Sequence, residues 1–186
     1  MKELSLNILD VAENSVKAGA SLIGIELDET EELLTLRITD NGCGMTPEIL
    51  ASVTDPFYTT RTTRKVGLGL PLLKLAAEQT GGSMTVVSRH ESTNPEDHGT
   101  EVTATFYKNH IDCTPMGDVI SSIVTLIQGN PTRDFVFTHK RPEGNVVLDT
   151  RQLRDVLGED VPLNSFEVLQ WITEFLREQY AGDENR

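Results

Sequence analysis

The chain has 186 residues, enough for one generous domain or one domain with an extension, and its core must be mostly Leu, Ile and Val because aromatics make up only 5%. The net charge of −13 is shared evenly, −7 over residues 1–108 and −6 over 109–186, which argues against a nucleic-acid phosphate-backbone binder. No apolar run approaches the roughly 20 residues that span a bilayer, Met1 leads directly into a helical pattern, and the two cysteines are Cys43 and Cys113. The expectation is a cytoplasmic protein with reduced thiols and neither a membrane nor a nucleic-acid partner.

In chain order, residues 3–18 read as a helix stopped by Gly19. Glu3, Asn7, Asp10, Asn14 and Lys17 recur at helical spacing and line one face, flanked by Leu4, Leu6, Ile8, Leu9, Val11, Ala12 and Val16. So narrow a polar strip suits a helix buried on most sides with one edge on a polar cavity. Asn14 offers a neutral oxygen to Mg²⁺ beside phosphates. Asp10, one turn earlier, suits a proton acceptor or a holder of a metal-bound water, and Lys17 a phosphate neutraliser.

Residues 21–28 and 33–39 alternate as strands joined by the acidic turn Asp28–Glu32. Asp40-Asn41-Gly42-Cys43-Gly44-Met45 follows directly. A carboxylate at a strand end can accept a bond from an exocyclic amine such as that of adenine, and the two glycines let backbone approach a flat ring. Thr46-Pro47-Glu48 starts a short helix. Residues 54–67 form a long loop, and Lys65-Val66-Gly67-Leu68-Gly69-Leu70 leads into a helix from Gly69 to Thr80, closed by Gly81-Gly82. Glycines before a helix N-terminus present free N–H groups to an anion. Residues 56–77 carry Arg61, Arg64, Lys65 and Lys74 without an acid, which is where this acidic chain would tolerate a triphosphate.

Residues 83–88 and 100–107 read as strands joined by the polar stretch His90–Gly99. Thr114-Pro115 opens a helix with Val119, Ile120, Ile123, Val124 and Ile127 that Gly129 ends. Phe135-Val136-Phe137 and Val146-Val147-Leu148 form a hairpin around Arg141–Gly144, and a short helix covers 150–157. A last helix begins at Asn164 with Glu167 as a capping-box partner, its apolar positions including Phe166, Leu169, Ile172 and Phe175. The tail 181–186 should be disordered.

Together these residues resemble the superfamily of gyrase, histidine kinases and mismatch-repair ATPases, whose ATP site is the Bergerat fold. Asp10-Val11-Ala12-Glu13-Asn14-Ser15-Val16-Lys17-Ala18-Gly19-Ala20 is similar to the N-box, and Asp40-x-Gly42-x-Gly44 to the G1 box. Asp55-Pro56-Phe57-Tyr58-Thr59-Thr60 resembles the F-box, Gly67-Leu68-Gly69-Leu70 the G2 box, and Gly99-Thr100 the closing strand. The resemblance implies an α/β (α+β) two-layer sandwich, with a mixed, mostly antiparallel sheet and helices over 1–108 and a small α/β extension over 109–180. It implies an ATP site with Mg²⁺ on Asn14 and Asp10 in the catalytic position. The nucleotide would be bound by Asn14, Lys17, Asp40, Gly42, Gly44, Met45, Phe57, Thr59, Thr60, Arg61, Lys65, Val66, Gly67, Leu68, Gly69, Leu70 and Thr100. Residues 57–66 would be the lid. Asp10 stands where several relatives place a longer Glu, and Lys65 replaces a usual glycine.

The chain begins at the N-box, and His90, His98, His110 and His139 lack the helical context of a phosphoacceptor. The expectation is therefore a stand-alone kinase-like ATPase module that acts on or signals to a separate protein, a signalling or redox-enzyme component, with a homodimer also allowed. The rivals are a non-hydrolysing ATP-gated binding module and a mismatch-repair-like DNA-processing ATPase.

Overall fold

The computed structural model describes residues 3–55 and 68–182. The elements, in order, are α1 (Leu4–Lys17), β1 (Leu22–Glu29), β2 (Leu33–Asp40), α2 (Pro47–Ser52), α3 (Gly69–Gln79), β3 (Ser83–Arg89) and β4 (Gly99–Tyr107). They continue with α4 (Val119–Gly129), β5 (Asp134–Arg141), β6 (Gly144–Asp149), α5 (Thr150–Leu157) and α6 (Phe166–Ala181). One six-stranded sheet runs β3-β4-β2-β1-β5-β6. Only the β1–β5 pair is parallel; every other neighbour is antiparallel.

Period-two alternation explains the layering. Ile23, Ile25 and Leu27 of β1, Leu34, Leu36 and Ile38 of β2, and Val102, Ala104 and Phe106 of β4 are all buried. Pairing places Ile25 beside Ile38 and Phe137, and Ile38 beside Val102, so these residues share one face. Leu4, Ile8 and Val11 of α1, Leu73 and Ala77 of α3, and Ile123 and Leu126 of α4 close the same core. The intervening strand residues Gly24, Glu26, Arg37, Thr39 and Thr138 line a groove of about 350 Å³ on the opposite face. The result is two layers, a mixed sheet and a helical cover, as the pattern leads one to expect.

The segment from 109 onward adds β5 and β6 to this same sheet and clasps α1. The first-turn N–H groups of Leu4 and Ser5 donate to the carbonyls of Pro115 and Met116, at 2.9 and 2.8 Å. Ser122 Oγ donates to the Ser5 carbonyl, and Asn130 Nδ2 to Glu13 Oε1. Arg133 donates to the carbonyls of Gly19 and Ala20 just beyond the other end of α1.

That clasp corrects the helix expected from Thr114-Pro115. The segment stays non-helical, its Pro115 and Met116 carbonyls serving α1, and α4 starts only at Val119, capped by Asp118, whose carboxylate accepts from Ser121 N–H at 2.9 Å. The last helix also differs: its N-cap is Ser165, not Asn164, and no side chain caps it. Leu163 is fully buried and pins the chain ahead of the helix. Val168, Ile172 and Leu176 then face inward at four-residue spacing, which leaves Phe166 76% exposed. Ala181, expected in the tail, closes α6.

α6 is also tied to the sheet by a buried polar cluster. His139 on β5 is hydrogen-bonded through Nδ1 to Tyr180 Oη at 2.8 Å and through Nε2 to Glu29 Oε2 at 3.0 Å. Burial pushes the His139 pKa below its usual range, outweighing the opposite pull of Glu29, and pushes the Tyr180 hydroxyl up to about 12.

Candidate functional site

The proposed site starts with the polar edge of α1. Asp10 and Lys17 are exposed and Asn14 is half-buried. Asn7, on the same edge one turn before Asp10, is fully buried with neither amide atom hydrogen-bonded. An unsatisfied buried polar group costs about 1–3 kcal/mol, so Asn7 is a local strain at the start of the strip. The strip is less enclosed than its narrowness suggested, since Leu6 beside it is 43% exposed.

The N-terminus of α3 meets α1 at Asp10. A Cβ built on Gly69 would lie 3.2 Å from the Asp10 Cβ, so a side chain here would press on Asp10 and the glycine makes this close approach easy. Leu68 at the N-cap provides no side-chain cap, which leaves first-turn N–H groups of α3 for an anion beside Asp10. Leu70 is buried in the core, so it can reach a ligand only through its backbone.

The other end of the edge is organised by Asp40, the last residue of β2. Ser15 Oγ donates to Asp40 Oδ2 at 2.6 Å. The N–H groups of Gly42 and Thr100 donate to Oδ1 at 2.9 and 3.3 Å. Thr100 is the direct β4 partner of Asp40 in the sheet register. One carboxylate thus joins α1, the loop after β2 and the start of β4, and it remains half-buried at the surface. Along α1, Asp10 and Ser15 are five residues apart, about 7.5 Å at the helical rise.

Backbone contacts hold the loop after β2 in place. Gly42 lies so close to α1 that a Cβ would fall 2.8 Å from the Ala18 Cβ. Gly44 has φ +70, and a Cβ there would collide with the Arg89 carbonyl at 2.0 Å. Asn41 Oδ1 accepts from the N–H groups of Ser21 and Leu22, tying the loop to the start of β1. Met45 is half-buried against the core, and its N–H donates to Ser88 Oγ, which also bonds Thr100 Oγ1 at 2.8 Å.

The structure therefore sets Gly69 against Asp10, Gly42 against Ala18 and Asp40 against Ser15 along α1, the helix that also carries Asn14 and Lys17, with Thr100 joined to Asp40 and with Gly44 and Met45 packed on Arg89 and Ser88 beside them; Leu68 stands at the N-cap of α3 and Leu70 lies in the core. Phe57, Thr59, Thr60, Arg61, Lys65, Val66 and Gly67 lie outside the described residues. Sequence reasoning gave no role to Ser15, Ser88 or His98, whose Nδ1 is hydrogen-bonded to the Gly42 carbonyl at 2.6 Å. Ser15 follows Asn14 directly and was the one discoverable signal; the other two depend on strand register and loop path. Among the described residues no three His, Cys, Asp or Glu side chains cluster as a metal site.

The family described as histidine kinase-, DNA gyrase B-, and HSP90-like ATPase matches residues 2–110. The sensor protein SrrB of Staphylococcus aureus is 39% identical over 93 residues, which cover 47% of this chain and 16% of SrrB. The chain thus spans about a sixth of that curated relative. Among solved structures, the N-terminal domain of a DNA repair protein is similar with TM-score 0.59 and 18% identity, over 86% of this chain and 58% of that one. The Aquifex aeolicus MutL ATPase domain complexed with ADP follows with TM-score 0.54 and 16% identity, over 84% and 69%. At these identities the two structures speak for the fold alone.

Proposed function

Since the chain belongs to the family of histidine kinase-, DNA gyrase B- and HSP90-like ATPases, we propose that it binds Mg-ATP along the polar edge of α1 and uses it to act on or signal to a separate protein. The observation that carries this reading is the Asp40 junction. Its carboxylate is held by Ser15, Gly42 and Thr100, yet stays half-buried at the surface where it can meet a ligand. An ionised carboxylate there accepts a bond from the exocyclic amine of adenine and repels the carbonyl that guanine presents instead.

The triphosphate would run from that end toward the N-terminus of α3, with Lys17 as a neutralising charge. Asn14 would supply a neutral oxygen to a magnesium ion, a hard ligand suited to a cation that also meets phosphate oxygens. Bound there, the ion would offset phosphate charge. Asp10, exposed beside the first turn of α3, is placed to take a proton from a water or an acceptor hydroxyl.

A second reading, an ATP-gated binding module without turnover, is favoured by the identity of residue 10. An Asp reaches one methylene less far than a Glu and leaves the acceptor bridged by a water. A DNA-repair role, like that of the similar DNA repair protein, is opposed by the net charge of −13. The test is calorimetry of ATP with and without Mg²⁺, together with steady-state hydrolysis and protein capture in the presence and absence of Mg-ATP. Absence of ATP binding would refute the first two readings, and binding without turnover even with a captured partner would select the second.

A further inference from the structure

The helix that ends the described chain carries a second apolar feature on its outer side. α6 buries Val168, Ile172 and Leu176, but Trp171 remains 47% exposed. The Trp171 ring stacks on Phe175, with centroids 4.8 Å apart and planes 13° from parallel. Glu167 lies four residues before Trp171, Glu174 three after it, and Glu178 three after Phe175, so helical geometry gathers the carboxylates around the aromatic pair. All three glutamates are exposed. The only basic residue of α6, Arg177, lies on another flank, where its charge acts on Asp118.

We propose that this face of α6 docks a basic segment of a separate protein, with an Arg or Lys side chain lying over the Trp171 ring and Glu167, Glu174 and Glu178 compensating its charge. Indole is the best aromatic partner for a cation, and carboxylates at its rim bind a guanidinium or ammonium directly. Charge chooses the occupant. A second copy of this chain brings the same acidic face and a net charge of −13, so pairing patch with patch opposes glutamate to glutamate. An uncharged apolar segment would leave the three carboxylates facing it without a counter-charge.

The position suits communication with the rest of the molecule. α6 packs on α4, and α4 packs on α1, to which Ser122 and Asn130 also bond it. The patch and the polar edge of α1 thus belong to one stack of helices. The docking itself does not require nucleotide.

Trp171 is the only tryptophan in the chain, so its fluorescence reports the patch alone. The full chain is titrated with a synthetic amphipathic peptide of alternating Leu and Arg, and with the same peptide carrying Glu for Arg, at low and high salt. The Arg peptide should shift the Trp171 emission saturably and weaken in high salt; the Glu peptide should not bind. Glu167→Gln, Glu174→Gln and Glu178→Gln together should weaken binding by about tenfold. Removing the same number of exposed charges from the β1–β2 turn, by Asp28→Asn, Glu31→Gln and Glu32→Gln, should change it less than about twofold. Equal losses in the two triple variants would reduce the effect to the overall acidity of the chain and overturn the proposal. So would peptide binding that leaves Trp171 emission unchanged, or a dimer seen by sedimentation that Trp171→Ala dissolves.

Discussion

Replacing Asp40 by Asn removes a charge while sparing the fold. In the parent, Oδ1 accepts from the N–H groups of Gly42 and Thr100, and Oδ2 accepts from Ser15 Oγ at 2.6 Å. An Asn carbonyl oxygen can keep the two backbone donors. Its NH₂ then faces Ser15, whose hydroxyl can turn and accept, donating instead to the carbonyl one turn back in α1. The loop should therefore stand, and the thermal midpoint should move by only a few degrees. The loss falls on the ligand, because the remaining edge of residue 40 now presents a donor to a donor amine. A charge-assisted hydrogen bond is worth about 1.5–3 kcal/mol, so Kd for Mg-ATP should rise about 10- to 150-fold. Calorimetry of parent and Asp40→Asn with ATP and GTP measures this. Parental affinity in the variant, or equal ATP and GTP affinity in the parent, would refute the adenine assignment.

Asn14→Ala should weaken Mg-ATP binding while affecting metal-free nucleotide much less, which paired titrations with and without a chelator would reveal. Asp10→Asn should hold ATP affinity within a few fold and lose about 10²–10⁴ of whatever turnover the parent has, read in single-turnover assays; parental hydrolysis in the variant excludes Asp10 as the base. With γ-labelled ATP the protein should form no acid-labile phosphohistidine, since His139 is 3% exposed and His98 is engaged with Gly42; stoichiometric label on any of the four histidines would contradict this. The His139 pKa is lower in the folded chain than in the unfolded one, so its stabilising contribution is complete above about pH 6.5 and is lost as pH falls through the folded value. The Glu29 carboxyl, pushed up by burial but pulled below its usual range by Lys108 and His139 together, adds a loss in the same direction at lower pH. Thermal midpoints should therefore drop on acidification from neutral pH, and the drop should shrink in His139→Gln; equal slopes would show that the cluster does not titrate.

Local chemistry was legible without the fold. Spacing alone set Asn7, Asp10, Asn14 and Lys17 on one edge of α1, and alternation located β1 and β2, while short apolar runs beside turn residues marked β5 and β6, because side-chain periodicity is a property of the backbone that no tertiary contact alters. The ordered motifs around Asn14, Asp40, Gly69 and Thr100 likewise announced their elements and the family. Distance in sequence hid the rest. That Asp40 bonds Ser15 and Thr100 depends on how α1 lies over the sheet and on the β2–β4 register, not on anything local to residue 40. The same holds for residues 109–133. Nothing in Thr114-Pro115 or Arg133 shows that their segment caps the first turn of α1 and bonds the carbonyls just past its other end, so a helix is expected where a non-helical strap runs. At α6, several registers satisfied the amphipathic pattern. Only the burial of Leu163 and the fit of Val168, Ile172 and Leu176 between α4 and β6 turned Trp171 outward, because packing chooses among faces that periodicity leaves equivalent.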